Sequence, residues 1–227
     1  HLDIDETRKT EEKLKTMLAE KELLLKELNH RTKNNMQVII SMLRLQALQP
    51  KWAPLAFVFK EVENKIQAMA LVHRRLYQSH DLSKIDLASY IQELTELTLT
   101  SLAICQGKVN LLFDMQPVSV TIDVAIPCGL MINELMTNSL KHAFPGERRG
   151  TVKVTLKREK GETLALVYED DGIGVDEGFD FRNQPTLGLQ TVLILGEHQL
   201  QGKVEFASPP GFRCCLVFRE TVYQARV

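Results

Sequence analysis

No glycine or proline occurs in the first 49 residues, and that one fact limits the possible folds of this chain more than any other feature. Residues 5–29 are rich in Glu, Lys, Leu and Ala, all good helix formers. Leu14, Leu18, Leu25, Leu28 and Ile39 fall near spacings of three, four or seven, the pattern of an amphipathic helix with coiled-coil character. The pattern runs on through His30 to about Gln49, with Val38, Ile39, Met42, Leu43 and Leu45 on its apolar face, until Pro50 and Pro54 stop it. A second helix is expected from about Leu55 to Gln78. Two long helices joined by a short Pro-containing loop predict an antiparallel hairpin, and dimerisation into a four-helix bundle supplies the core that one hairpin lacks. A solvated charged helix docked on its own domain is the plainer reading of residues 5–29.

After a polar connection at 79–86 the pattern changes. Helices are expected at about 87–105, 124–143 and 188–200. Strands are expected near 108–114, 117–122, 151–158, 163–169, 203–208 and 213–219. This mixture predicts an α+β fold: a helical hairpin over residues 1–82, then a two-layer α/β sandwich over 83–227, its mixed sheet covered by helices on one face.

Composition excludes several classes. Apolar residues make up 44% of the 227, enough for a real core, and the net charge of −1 gives no electrostatic case for nucleic acid or an acidic membrane surface. No apolar run reaches the length of a membrane span, and the charged first 30 residues do not read as a signal peptide. The four cysteines, Cys105, Cys128, Cys214 and Cys215, form no Cys-x-x-Cys pair and are read as reduced thiols of a cytoplasmic protein. The six histidines show no zinc-ligand spacing. The chain opens on His1 rather than Met, so a stretch cut from a longer protein is expected.

Three segments carry chemistry. In Asn133-Glu134-Leu135-Met136-Thr137-Asn138-Ser139-Leu140-Lys141-His142, spacings of four and three put Glu134, Asn138 and Lys141 on one helix face, with His142 at its border. A carboxylate, an amide and a cation suit a magnesium triphosphate, because hard oxygens ligate Mg²⁺ and a cation neutralises phosphate. An ordinary solvated helix presents the same residue types. Asp170-Asp171-Gly172-Ile173-Gly174 follows a strand; its glycines permit close backbone approach and its carboxylate can accept from an exocyclic amine, although a plain turn uses the same residues. Leu187-Gly188-Leu189 opens a helix, where a glycine either presents N–H groups to phosphate or simply packs. Upstream, His30 lies mid-helix with Asn34 one turn later on the same face. A neutral imidazole, with a pKa near 6.5, can attack a phosphoryl group without a strong base, while most lone helix histidines are surface residues.

Taken in this order, the segments resemble a sensor histidine kinase. Glu27-Leu28-Asn29-His30-Arg31-Thr32-Lys33-Asn34-Asn35 resembles the His-Arg-x-Lys-Asn-Asn phosphoacceptor signature of the second dimerisation-and-phosphoacceptor subfamily. Asn133–His142 resembles the N box, Asp170–Gly174 the G1 box, and Thr186–Leu189 a reduced G2 box of the gyrase–Hsp90–kinase ATP-binding domain. The resemblance covers residues 20–220. It implies ATP and Mg²⁺ as cofactors, with Asp170 on the adenine amine, Asn138 on Mg²⁺ and Lys141 and His142 at the phosphates. It also implies Gly172 and Gly174 flanking the nucleotide, Gly188 and Leu189 at the end of a short lid over 175–187, and His30 as phosphoacceptor. A response regulator receiver domain as partner and a homodimer are implied too, and Asn34 would act in dephosphorylating the regulator. Arg31 stands where many sensor kinases have an acidic base, leaving Glu134 or Glu27 to assist. The sole tryptophan, Trp52, lies outside the ATP domain, which excludes a related subfamily with a Trp-x-Glu motif. Asp3–Lys9 resembles the exit of a PAS sensor domain, implying such a domain upstream. A non-catalytic nucleotide-binding scaffold and a plain ATPase of the same fold are the alternatives.

Overall fold

The structure, a computed structural model, describes residues 2–48, 55–78, 84–101, 107–176, 178–183, 186–208 and 210–220; the side chains of residues 2–9, 22, 25, 29, 30, 33, 56, 57, 77 and 78 are also outside the description. Pro50, Trp52, Pro54, Cys105 and the expected domain boundary near residue 82 lie outside the described residues.

Helix α1 runs Leu2–Ala47 and α2 runs Ala56–Gln78. They pack against each other as an antiparallel hairpin in which Arg44 of α1 meets Glu63 of α2, which also accepts from Gln67 at 2.9 Å and Lys60 at 3.4 Å. The Glu63 side chain is only 5% exposed. Burial raises its pKa, and the Arg44 and Lys60 cations outweigh that and hold it below the usual carboxylate range.

The second half of α2 packs into the main core. Ala68, Leu71, Val72 and Leu76, an i, i+3, i+4, i+8 stripe, are buried in the main core. They meet α3 (Leu87–Ser101) and α4 (Ile122–Asn138). The Tyr90 hydroxyl of α3 donates to Ala68 O, and Arg74 and Arg75 both bond Glu93. Gly129 of α4 lies under Tyr90: a Cβ there would fall 1.8 Å from the hydroxyl oxygen, so only glycine allows this approach.

The other layer is a five-stranded sheet in the order β2-β4-β5-β7-β6, from β2 (Val109–Met115), β4 (Gly150–Arg158), β5 (Thr163–Asp170), β6 (Lys203–Ala207) and β7 (Phe212–Arg219). Only β2–β4 is parallel. Strand alternation sends Val154, Tyr168, Cys214 and Phe206 across one row of the covered face, with Val152, Asp170 and Phe212 in the row beside it. Asp170 therefore ends β5 on the face that α4 covers.

Two features differ from expectation. The strand expected at 117–122 shrinks to β3 (Ser119–Val120), which pairs with an unforeseen β1 (Ile85–Asp86). Pro117 has no N–H to give a ladder, and Thr121 already caps α4. Both α4 and α5 (Leu187–Leu193) widen into π-type turns, Ser139–Ala143 and Ile194–Gln199. No helix among the described residues is long and apolar enough to cross a membrane.

Candidate functional site

The widened end of α4 lies against the C-terminal end of β5. There Asp170, 7% exposed, has both oxygens engaged: Ser139 Oγ donates to Oδ2 at 2.5 Å and Gly172 N to Oδ1 at 3.0 Å. Tyr168, two residues earlier on the same face, is fully enclosed, and burial pushes its phenol pKa well up. Gly172 presses on the same turn: a Cβ there would come within 2.4 Å of Ala143 Cβ, and Ile173 N donates to Ala143 O at 3.0 Å. Gly174 and Gly211 hold positive φ angles of 70° and 69°, the left-handed region that favours glycine. A Cβ on Gly211 would lie 2.0 Å from Asp170 O.

A cavity of about 460 Å³ opens in front of Asp170. Leu135, Ala143, Val175, Phe179 and Phe212 give it an apolar part, while Glu134, Asn138, Ser139 and His142 of α4 give it a polar side. Gly174, Thr186, Leu187, Gly188 and Leu189 complete the wall contributed by the segment after β5. Thr186 caps α5, its hydroxyl accepting from Leu189 N at 3.4 Å. Gly188 faces α4 so closely that a Cβ would sit 3.1 Å from both Asn138 Nδ2 and Glu134 Oε2. Glu134 and Asn138 thus point at one spot.

The wall has a third contributor that sequence reasoning missed. Glu61 and Lys65 of α2 line the cavity, and each holds a residue of α4: Lys65 Nζ lies 2.8 Å from Glu134 Oε1, and Lys141 Nζ 2.8 Å from Glu61 Oε1. Lys141 stands at the cavity's edge on Glu61 rather than among its lining residues.

The described part of the 175–187 segment is fastened by aromatic packing. Phe181 sits between Phe179, at 5.1 Å, and Phe206, at 5.2 Å, and Phe212 closes the cluster. Arg182 ties the segment to Glu197 at 2.8 Å and to Val204 O at 3.0 Å.

The structure therefore gathers Glu134, Asn138, His142, Asp170, Gly174, Gly188 and Leu189 around one cavity, with Gly172 behind it and Lys141 beside it. Asn34 is exposed on α1, well outside the cavity. His30 lies on the same helix, its side chain outside the described set. Glu27 is engaged by Arg31 at 2.8 Å, one turn along α1.

The comparisons with known proteins fall on these same elements. Residues 27–102 match the family described as Histidine kinase, and residues 123–222 that described as Histidine kinase-, DNA gyrase B-, and HSP90-like ATPase. The chain belongs to the histidine kinase family. The sensor histidine kinase PdtaS of Mycobacterium tuberculosis is 30% identical over 82% of this chain and 37% of its own length. The blue-light-activated histidine kinase 2 of Erythrobacter litoralis is 29% identical over 74% of this chain and 49% of its own. This histidine kinase chain thus spans less than half the length of those relatives. The solved histidine kinase domain of the Erythrobacter litoralis blue-light activated kinase EL346 superposes with a TM-score of 0.65 at 25% identity, over 86% of this chain and 90% of that one.

Besides Glu61 and Lys65, the sequence reading missed Ser139, Phe179 and Phe212. Ser139 directly follows Asn138, but its partner Asp170 is 31 residues away, so only the folded contact reveals it. The charge complementarity of Glu61 and Lys65, four apart, with Glu134 and Lys141, seven apart, is the one signal available in advance.

Proposed function

We propose that this chain is an ATP-dependent protein-histidine kinase that phosphorylates itself on His30 and passes the phosphoryl group to an aspartate of a response regulator receiver domain. One observation carries the reading: a buried, hydrogen-bonded Asp170 shares a cavity with Asn138 and Glu134 in a chain whose separate hairpin bears His30-Arg31-Thr32-Lys33-Asn34-Asn35. Asp170 accepts the adenine amine, the apolar wall from Leu135 to Phe212 covers the base, and His142 and Lys141 meet phosphate. The residue types fit Mg²⁺: opposite Gly188 the Glu134 carboxylate and the Asn138 amide, its Nδ2 at 3.1 Å and its Oδ1 at 3.6 Å from where a Cβ would stand, bring hard oxygens to one place. Asn138 would hold Mg²⁺, which would supply neutralisation of the charge that gathers on the transferring phosphate.

In the first step an imidazole nitrogen of His30 bonds to the γ-phosphorus, the bond to the bridging oxygen breaks, and ADP leaves. The imidazole proton goes to water or to Glu134, a carboxylate of the polar wall. In the second step the regulator's aspartate takes the phosphoryl group and the P–N bond breaks. In a separate hydrolytic step, Asn34, exposed and one turn after His30, would orient a water that attacks the aspartyl phosphate, releasing inorganic phosphate and the free aspartate.

The proposed organisation is a phosphoacceptor unit over 1–82 and an ATP-binding unit over 83–227, acting as a homodimer in the cytoplasm below a PAS-like sensor domain. Incubation with γ-labelled ATP and Mg²⁺ tests the chemistry. A phosphoramidate on histidine is lost in acid and survives alkali; a label with the opposite stability, or none, contradicts the reading.

A further inference from the structure

The nucleotide cavity opens against the wrong end of the hairpin for phosphoryl transfer. Arg44 pairs with Glu63, so the level of α2 that carries Glu61 and Lys65 lies beside the loop end of α1. His30 lies 14 residues earlier on α1, about 21 Å along the helix at roughly 1.5 Å per residue. Transfer needs the reacting atoms about 3–3.5 Å apart. The contacts that hold the cavity at the loop end are therefore contacts of a resting arrangement.

Two of these contacts fall on the residues assigned to the triphosphate. Glu61 is bound to Lys141, and Lys65 to Glu134, both at 2.8 Å. Glu61 and Lys65 are one helical turn apart on α2, and their partners lie two turns apart on one face of α4, so the pairs form a crossed-charge clasp. Lys141 is the cation that a phosphate group would otherwise engage. A phosphate and the Glu61 carboxylate compete for it, and an incoming triphosphate also meets Glu61 as a like charge. Lys65 acts in the opposite sense: it neutralises Glu134 beside Asn138 and contributes a cation to the cavity wall.

We propose that Glu61 and Lys65 of the hairpin are positioning residues of the nucleotide site. Glu61 restrains Lys141 until triphosphate replaces it, and Lys65 neutralises Glu134, so that filling the site loosens the hairpin's hold on the nucleotide domain. The proposal rests on the nucleotide reading of the cavity. By linkage, whatever the Glu61–Lys141 pair costs triphosphate binding, bound triphosphate takes from the pair, so ATP occupancy loosens the clasp while the buried α2 stripe of Ala68, Leu71, Val72 and Leu76 still joins the hairpin to the nucleotide domain.

Calorimetric titration of the whole chain with ATP and Mg²⁺, and separately with adenosine, tests this. Adenosine reports the base pocket without phosphates. Glu61→Gln is expected to tighten ATP about two- to fivefold, the range of a partly exposed ion pair, and to leave adenosine unchanged. Lys65→Gln is expected to weaken ATP by a similar factor, again with adenosine unchanged. Opposite signs are the mark of competition at the phosphates, because loss of a merely structural contact moves both variants the same way. Unchanged or weakened ATP binding by Glu61→Gln overturns the proposal. Failure of the wild-type chain to bind adenosine overturns the nucleotide reading, and the proposal with it.

Discussion

Asp170 stands in the covered row of the sheet with Ser139 fixing one carboxylate oxygen and Gly172 N the other. A carboxylate held in this way needs no reorganisation to receive an exocyclic amine. Asp170→Asn removes the charge from that bond, and a charge-assisted bond contributes about 1.5–3 kcal/mol, so ATP affinity is expected to fall roughly 10- to 100-fold by calorimetry. Unchanged affinity places the base elsewhere. Ser139→Ala removes a neutral partner from Asp170 and is expected to raise KM for ATP a fewfold with kcat little altered; an equal fall in kcat contradicts a positioning role. Asp170 and Asn138 were legible in the sequence because each sits in a local pattern, a strand end followed by Gly-x-Gly and a helix face of spacing four. Ser139, Glu61 and Phe212 were not, because what matters about them is a partner far away in the chain. The expectation for His30 rests on its neighbours, from Arg31 to Asn35, rather than on any property of a lone helix histidine.

The elements follow from patterns of different strength. β4 and β7 alternate cleanly, while β5 is a nearly continuous buried run between Gly- and Asp-containing turns; all three were found within a residue or two, and the two long helices within about three. The β1–β3 ladder pairs two residues with two, too few for any periodicity to show. The wide turns ending α4 and α5 also leave no sequence signal, yet the first one shapes the site by bringing Ser139 to Asp170 and Ala143 to Gly172. Gly172→Ala must push that turn away, and overpacking of this kind costs about 1–3 kcal/mol. The expected result is a melting temperature lower by several degrees together with weakened ATP binding; a full-affinity, fully stable variant contradicts the contact. The segment after β5 is held by Phe181, which touches Phe179, Phe206 and Phe212 without lining the cavity. Phe181→Ala is therefore expected to weaken nucleotide binding several-fold through the loop, as measured by titration. An unchanged affinity means the wall does not depend on that cluster.

At the scale of the molecule, the sheet, α3, α4 and half of α2 share one core, while α1 leaves a long apolar surface uncovered. Leu14, Leu18, Leu28, Val38, Met42 and Leu45 are each more than half exposed. A face of this size marks an interface, and a second hairpin covers it in the proposed dimer. Light scattering is expected to give the mass of a dimer, and Val38→Glu with Met42→Glu that of a monomer; a monomeric wild type contradicts the bundle. The succession of helical hairpin and mixed sheet was legible because Pro-terminated helices give way to alternating strands. The contact of α2 with the nucleotide-site helix was not, because ion pairs such as Glu61–Lys141 join residues 80 apart.

The central claim is that one chain holds both a nucleotide site and, on a separate element, the residue it phosphorylates. The most direct measurement compares wild-type and His30→Gln chains in γ-labelled ATP and Mg²⁺ while ATP binding is measured on the same samples. The account predicts a label on the wild type, none on His30→Gln, and ATP affinities within about twofold of each other, since no cavity residue has changed. A label that persists on His30→Gln, or an unlabelled wild type that binds ATP, contradicts it.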